Sequence, residues 1–481
     1  MTSKRNTTAI LTIILVSYFM ILLDNSVIFT ALPSLQADLG LSSSDLAWVQ
    51  DAYTLVFGGL LLLGARAGDL LGRRRVFVFG LVVFSIASLL IAVAPAAWWI
   101  IAARAVQGVG AAIVAPSALS LLTASFEGPE RDRAVAWYAA TAGIGASLGM
   151  LVGGAAATLL SWRAGFWINV PIGIAMIVLA PRFLPETDAA RGRFDITGAL
   201  TSTLGIGALV FGLLHGAEAG WGDPITLASF AAAMAMLVAF VLAEARAAQP
   251  IMPLRLFGSR IRTGAYLVRL TYLGAMIGFF FFTTQFLQGV LGFTALQAGL
   301  AFLPMTLVNF AVALAIPRLV GRAGNTWPLL VGVALTLAGM LWLSRLTPES
   351  AYLTAVALPM LLIGTGQGLA FAPMTTFGLS GASTADAGAA SGVVNTFHQV
   401  GMSLGLGILA AVAAASDVPG TAPSVTLTAE VSAALTGATV LLGIALVLAL
   451  TLVAPHRRTA TMQGGNASPS HSPASVPTLE V

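Results

Sequence analysis

The sequence predicts an all-α membrane protein with about fourteen transmembrane helices. Three observations predict it. Of the 481 residues, 58% are hydrophobic and only 9% are charged, which lies outside the range of soluble globular domains. Apolar stretches of bilayer-spanning length recur along the chain. Arginines gather in alternate short loops between those stretches, as membrane topology requires.

In chain order, apolar segments bounded by charges or turn residues predict spans near 9–31, 48–67, 76–94, 98–122, 134–160, 164–181, 196–215, 224–243, 263–287, 296–317, 327–346, 351–377, 391–415 and 432–454. The first runs from Ala9 to Ala31 and is followed by Leu32-Pro33. At ~1.5 Å per residue it covers ~34 Å, against a hydrocarbon core of ~30 Å. It is too long for a cleaved leader and lacks a small-x-small cleavage site, so it is read as retained despite Lys4 and Arg5 before it. The span near 164–181 is short and contains Pro171, and that near 224–243 is rich in alanine.

With the N-terminus inside, the inner loops carry Arg73, Arg74, Arg75, Arg131, Arg133, Arg182, Arg191, Arg193, Arg246, Arg255, Arg260, Arg262, Arg318 and Arg322, with Arg457 and Arg458 in the tail. The outer loops carry only Arg163 and, at a helix end, Arg345. This predicts both termini in the cytoplasm and an even number of spans. Residues 459–481, rich in Ser, Pro, Gly and Thr, are expected to be disordered. The net charge of +4 resides in these loops and is no sign of nucleic-acid binding. There is no cysteine, which excludes disulfides and thiolate chemistry. Lys4 is the only lysine, so a phosphate-binding G-x-x-x-x-G-K-[ST] loop is absent and ATP hydrolysis is not expected.

Within the first span the single charge is Asp24. It lies ~10 Å from the end nearer Pro33, at hydrocarbon depth. A carboxylate there costs at least a few kcal/mol and needs a partner, a proton or water. It is expected to face a water-filled hollow between two halves of the molecule; a structural pair with a neighbouring helix is the alternative. Arg104 falls at the same estimated depth and is expected either to pair with Asp24 or to anchor to backbone carbonyls. Asp51 is expected to be solvated or to cap a helix at the outer end.

The chain repeats itself. Gly145-Ala146-Ser147-Leu148-Gly149 recurs as Gly401-Met402-Ser403-Leu404-Gly405, Gly72-Arg73 as Gly321-Arg322, and Gln107-Gly108 as Gln367-Gly368. The turn Glu130 to Arg133 aligns with Asp386 to Ala389. Two related halves of about six helices each follow, 1–182 and 263–455, with an inserted helix pair in 183–262 and a tail in 456–481; parallel repeats of this kind mark transporters. Gly145, Gly149 and Gly153, four residues apart, form a close-packing face where two bundles are expected to rock. The Gly-x-Ser-x-Gly pattern at 145–149 also matches a hydrolase elbow, but it lies inside an apolar helix instead of on a strand-to-helix turn. His398 is weighed as a titrating group against a structural hydrogen bond. Arg269 is expected to snorkel to the inner surface. Gln285, Asn309 and His398, with Gln107, are candidates to line a path.

In order, Leu23 to Ile28 with Ala31-Leu32-Pro33, Asp69 to Arg75, Arg104 with Gln107-Gly108, Trp162-Arg163 with Asn169-Val170-Pro171, and Met252 to Phe257 resemble the fourteen-helix drug:proton antiporter branch of the major facilitator superfamily, over almost the whole chain to about residue 455. The resemblance implies a multi-pass protein of the cell (inner) membrane, a small-molecule substrate, no cofactor beyond the proton gradient, and a monomer. It implies efflux of amphipathic drugs or antibiotics, with Asp24 and Arg104 in proton coupling. It also implies that Asp69, Gly72, Arg73 and Arg74 form a cytoplasmic latch favouring the outward-open state. A uniporter or proton symporter of the same fold is the alternative; a receptor or intramembrane enzyme is the reading from another class. The chain departs from the family at Leu70, where arginine is usual, at Ala65, where glycine is usual, and at Met150, where the branch has a proline tied to antiport.

Overall fold

The computed structural model describes residues 4–186, 194–247, 249–382, 386–416, 420 and 422–454. Arg191, Arg193, Arg457, Arg458 and the tail 456–481 lie outside the described residues. Every regular element among those described is helical. In chain order they are α1 Lys4–Leu39, α2 Ser43–Leu71, α3 Arg73–Ala92, α4 Ala97–Ser125, α5 Gly128–Leu159, α6 Trp162–Trp167, α7 Asn169–Phe183, α8 Ile196–Ala219 and α9 Pro224–Arg246. After a 3-10 turn at Leu254–Gly258 follow α10 Arg260–Gly289, α11 Ala295–Ala301, α12 Leu303–Ala323, α13 Thr326–Leu343, α14 Leu358–Leu379 led in by a π turn at Tyr352–Ala357, α15 Ala387–Ala414 and α16 Pro423–Leu448, which ends in a π turn at Ala449–Val453.

Thirteen stretches among the described residues are long and apolar enough to cross a membrane. The remaining expected span, 134–160, falls on α5, which is 32 residues long. Two spans are broken helices. Pro171 lacks the N–H that would bond back to Trp167, and Pro304 the one that would bond to Leu300, so α6 and α7 share one crossing and α11 and α12 another. The expected end of the first span near Pro33 is corrected. α1 runs through Pro33 to Leu39, because one missing N–H can be tolerated where neighbouring helices pack around it. It stops at Gly40, whose φ of +64° ends the helix. Ser42 then starts α2, its hydroxyl accepting from the Asp45 N–H while its own N–H donates to the Asp45 carboxylate.

The repeated sequences make repeated contacts. On α5, a Cβ at Gly145 would lie 2.8 Å from Leu22 Cβ and one at Gly149 2.7 Å from the Leu23 carbonyl, both on α1. On α15, Gly401 and Gly405 press still closer to Leu270 and Gly274 of α10. Gly108 of α4 meets the Tyr53 carbonyl of α2, and Gly368 of α14 meets the Asn309 carbonyl of α12. Two halves, α1–α7 and α10–α16, therefore share one packing scheme. The pair α8–α9 is inserted between them. Gly59 of α2 touches Thr203 of α8, and Gly407 of α15 faces Val210 and Leu213, so α8 covers the seam where α2 meets α15. α9 packs on α8 through Leu237 and Phe230 and leaves Met234, Val238 and Val241 exposed, as a lipid-facing surface requires.

The glycine face on α5 is tight, as expected, but it closes on α1 inside one half instead of between halves. On α5 the contact with the other half is made one residue later. A Cβ at Gly154 would lie 2.5 Å from the Ala295 carbonyl of α11, and one at Gly299 2.6 Å from the Met150 carbonyl. Gln288 of α10 donates to the Thr30 carbonyl at 3.2 Å, the Leu296 N–H donates to Thr158 at 3.0 Å, and Phe29 stacks on Phe280. These contacts seal the end of the molecule opposite the arginine-rich loops.

Candidate transport site

Asp24 sits where α1 crosses α4 and α7. Its Oδ2 accepts from Arg104 Nη1 at 2.8 Å; its Oδ1 accepts from Gln107 Nε2 at 2.8 Å and Asn169 Nδ2 at 2.7 Å. Arg104 Nη1 also donates to Gln107 Oε1, and Arg104 Nε to the Val49 carbonyl of α2. Ser88 of α3 accepts from Gln107 at 2.8 Å. Asp24 and Arg104 are both 0% exposed. Both expectations for Arg104, the ion pair and the backbone anchor, are met at once. The physical reason is local: residues 104 and 107 share one face of α4, and no water reaches them, so every charge must be met by protein.

The expected exposure of Asp24 to a hollow between the halves is corrected. Tyr53 of α2 lies flat against Arg104, 4.2 Å from its guanidinium carbon to the ring centroid, and closes the network off. The hollow itself is present, one residue away. A cavity of about 1000 Å³ is lined by Asn25, Tyr53, Tyr138, Asn395, His398 and Gln399, and reaches Arg66, Asp69, Arg73, Gln249, Arg255 and Asp386 at the arginine-rich end. Its walls come from α1, α2, α4 and α5 on one side and α15 on the other. At the mouth Arg255 pairs with Asp386, which raises the pKa of Arg255, and Arg66 donates to Gln249.

Other candidates separate cleanly. His398 lines the cavity. Gln107 belongs to the Asp24 network. Gln285 is part-buried and donates to the Phe281 carbonyl of its own helix at 3.4 Å, and neither it nor Asn309 lines the cavity. Arg269 does not snorkel. It is 3% exposed, held inside the second half by Thr375 and His398. Asp51 is neither solvated nor a cap: it is fully buried, close to the hydroxyls of Thr54 on its own helix and Ser403 of α15. Sequence reasoning gave no site role to Asn169, Tyr53 or Ser88. The signal was a polar residue deep in an apolar span, since Asn169 interrupts the run between Phe166 and Ile172.

The loop from α2 to α3 is tied down locally. Asp69 and Arg73 pair at 3.1 Å, Arg73 donates to the Ser120 carbonyl of α4, and Arg74 donates to the Leu184 carbonyl after α7. Glu186, which the sequence did not single out, accepts from the Arg74 N–H at 3.1 Å and lies 3.5 Å from the Arg74 side chain. Gly72 makes the turn at φ +97°, and a Cβ there would come within 2.8 Å of Glu186 Oε1. Gly72→Ala is therefore expected to lower stability by about 1–3 kcal/mol, read as a lower thermal midpoint in detergent.

Two repeated helical halves around a cavity that opens at one membrane end define a transporter of small molecules, embedded in the membrane by multiple spans, and not an enzyme. The chain belongs to the Major Facilitator Superfamily, whose family profile matches residues 14–406. It is 42% identical to the cephamycin export protein CmcT of Amycolatopsis lactamdurans over 85% of each chain. It is 39% identical to the puromycin resistance protein pur8 of Streptomyces alboniger, over 87% of this chain and 85% of that one. Among solved structures it resembles a bacterial homologue of the human lysosomal transporter Spinster in an inward-facing, unoccupied conformation, with TM-score 0.68 at 15% identity over 94% of this chain and 98% of that one.

Proposed function

We propose that the protein exports amphipathic organic molecules, antibiotics among them, from the cytoplasm in exchange for protons. The observation that carries this reading is the cavity, which opens among the arginine-rich loops and is shut by α5–α11 and α1–α10 contacts at the other end. The arginine bias supports a cytoplasmic mouth, and with it the reading of this conformation as the loading state. Walls of aliphatic and aromatic side chains with a few amides suit a molecule with an apolar body and sparse polar groups. The cephamycin and puromycin relatives support a drug-like cargo.

In the proposed cycle the halves rock about the cavity, and Asp69 with Arg73 steadies the cytoplasmic end. Asp24 serves as a tie instead of a cavity wall. A proton on it removes the charge that draws in Arg104, Gln107 and Asn169, which frees α1 from α4 and α7. With Tyr53 closing the network here, the proton enters once α1 or Tyr53 has moved, in the state open to the outside. A potential of ~100 mV supplies ~2.3 kcal/mol per charge moved inward, enough to bias that exchange.

The test is drug accumulation in everted vesicles energised by a proton gradient. Asp24→Asn is expected to abolish gradient-driven accumulation while leaving downhill substrate exchange; unchanged accumulation would remove Asp24 from the coupling. Proton movement out of the compartment into which drug is loaded supports antiport. Movement with the drug indicates symport, and none indicates uniport.

A further inference from the structure

The two halves each bury one arginine deep among their helices, but only one of the two has a counter-ion. Arg104 has Asp24. Arg269 of α10 has no carboxylate within ion-pair distance among the described residues. Its Nη1 donates to Thr375 Oγ1 of α14 at 2.9 Å, its guanidinium carbon lies 4.6 Å from the Phe371 ring centroid, and its Nε has no partner among the described residues. A buried cation without an anion is costly to hold.

The remaining contact shows where the charge is felt. Arg269 Nη2 lies 3.1 Å from His398 Nδ1. A guanidinium only donates, so Nδ1 accepts and the imidazole proton is on Nε2. His398 lines the large cavity. The cavity therefore meets a ring whose N–H is polarised by a cation behind it, flanked by Asn395 and Gln399 on the same helix. The acids lining the cavity, Asp69 and Asp386, stand at the mouth, each paired with an arginine. Arg66 adds a third guanidinium there, bonded to the Gln249 amide and to no acid among the described residues. Among the described residues the cavity is thus lined by more positive than negative charge, and its inner wall at His398 is backed by a cation while no carboxylate lines it.

We propose that His398, backed by Arg269, is the docking point for an acidic group on the transported molecule, so that the preferred cargo is an amphipathic organic anion, above all a carboxylate. This rests on the export reading given above. The cargo's carboxylate would accept from His398 Nε2 and from the amides of Asn395 and Gln399, and would supply the counter-charge that Arg269 lacks within the protein. Arg269 acts through His398 and is a positioning residue; His398 makes the contact.

The experiment uses the full chain in everted vesicles with matched fluorescent amphiphiles: N-dansyl amino acids, their neutral amides, and dansyl amines. The acids are expected to be transported with at least a tenfold preference over their amides. His398→Ala and Arg269→Gln are each expected to cut that preference toward unity by weakening the acids alone, and Arg269→Lys to restore part of it. Should Arg269→Gln fail to fold, His398→Gln, which keeps an amide donor but breaks the link to the cation, carries the same test. Equal transport of acids and amides, or equal losses for both in the variants, overturns the anion site while leaving export intact. Transport of none of the three classes overturns the anion proposal and the export reading together.

Discussion

Arg104→Leu will destabilise the protein by about 3–5 kcal/mol, because it leaves the Asp24 carboxylate unpaired in a site no water reaches. Asp24→Asn is expected to cost a comparable amount, since it leaves the Arg104 guanidinium, which cannot give up its proton, without a counter-ion. The double variant Asp24→Asn with Arg104→Leu should recover much of either loss, since a buried pair replaced on both sides is often nearly neutral. Thermal unfolding in detergent measures all three. An additive result, with the double variant as unstable as the two losses combined, would mean that Arg104 is held by the Val49 carbonyl, Gln107 and the Tyr53 ring and gains little from Asp24.

Gly154→Leu will shift the conformational balance. In the conformation described here, a side chain at 154 collides with the Ala295 carbonyl at 2.5 Å from its first carbon. That atom is backbone and cannot rotate away. Overpacking of this kind costs about 1–3 kcal/mol, equivalent to a change of about 5–150-fold in a two-state balance. The state sealed at the α5–α11 contact loses population, and the state open at that end gains it. The absence of native cysteine makes the readout simple. Asn395→Cys lines the cavity, so a membrane-impermeant maleimide should label it from the arginine-rich side in the parent protein. With Gly154→Leu that labelling is expected to fall and labelling from the opposite side to rise. Labelling unchanged from both sides would place the hinge elsewhere.

These two positions also show what could be read without coordinates. Asp24 and Arg104 announced themselves as lone charges at matching depth in apolar spans, and the pair formed. Gly154 sat next to a glycine series whose spacing pointed to close packing, but spacing gives a face and not its partner. Gly145, Gly149 and Gly153 turned to α1, and only the neighbouring glycine met the other half. Arg269 looked shallow enough to snorkel, and Asp51 near enough the outer end to be solvated. Both estimates used distance along one helix. Neither could register that α14 and α15 cover Arg269, or that α15 covers Asp51.

The sequence by itself determined the class of the protein, its spans, its twofold internal repeat and the arginine-rich end, because these follow from free energies that add residue by residue: apolar surface in lipid, and charge kept out of it. Which carboxylate faces water, which glycines join the halves, and which arginine lacks a counter-ion were decided only in three dimensions. Those are properties of pairs of helices far apart in the chain, and the cost of burying a charge depends on what the second helix brings to it.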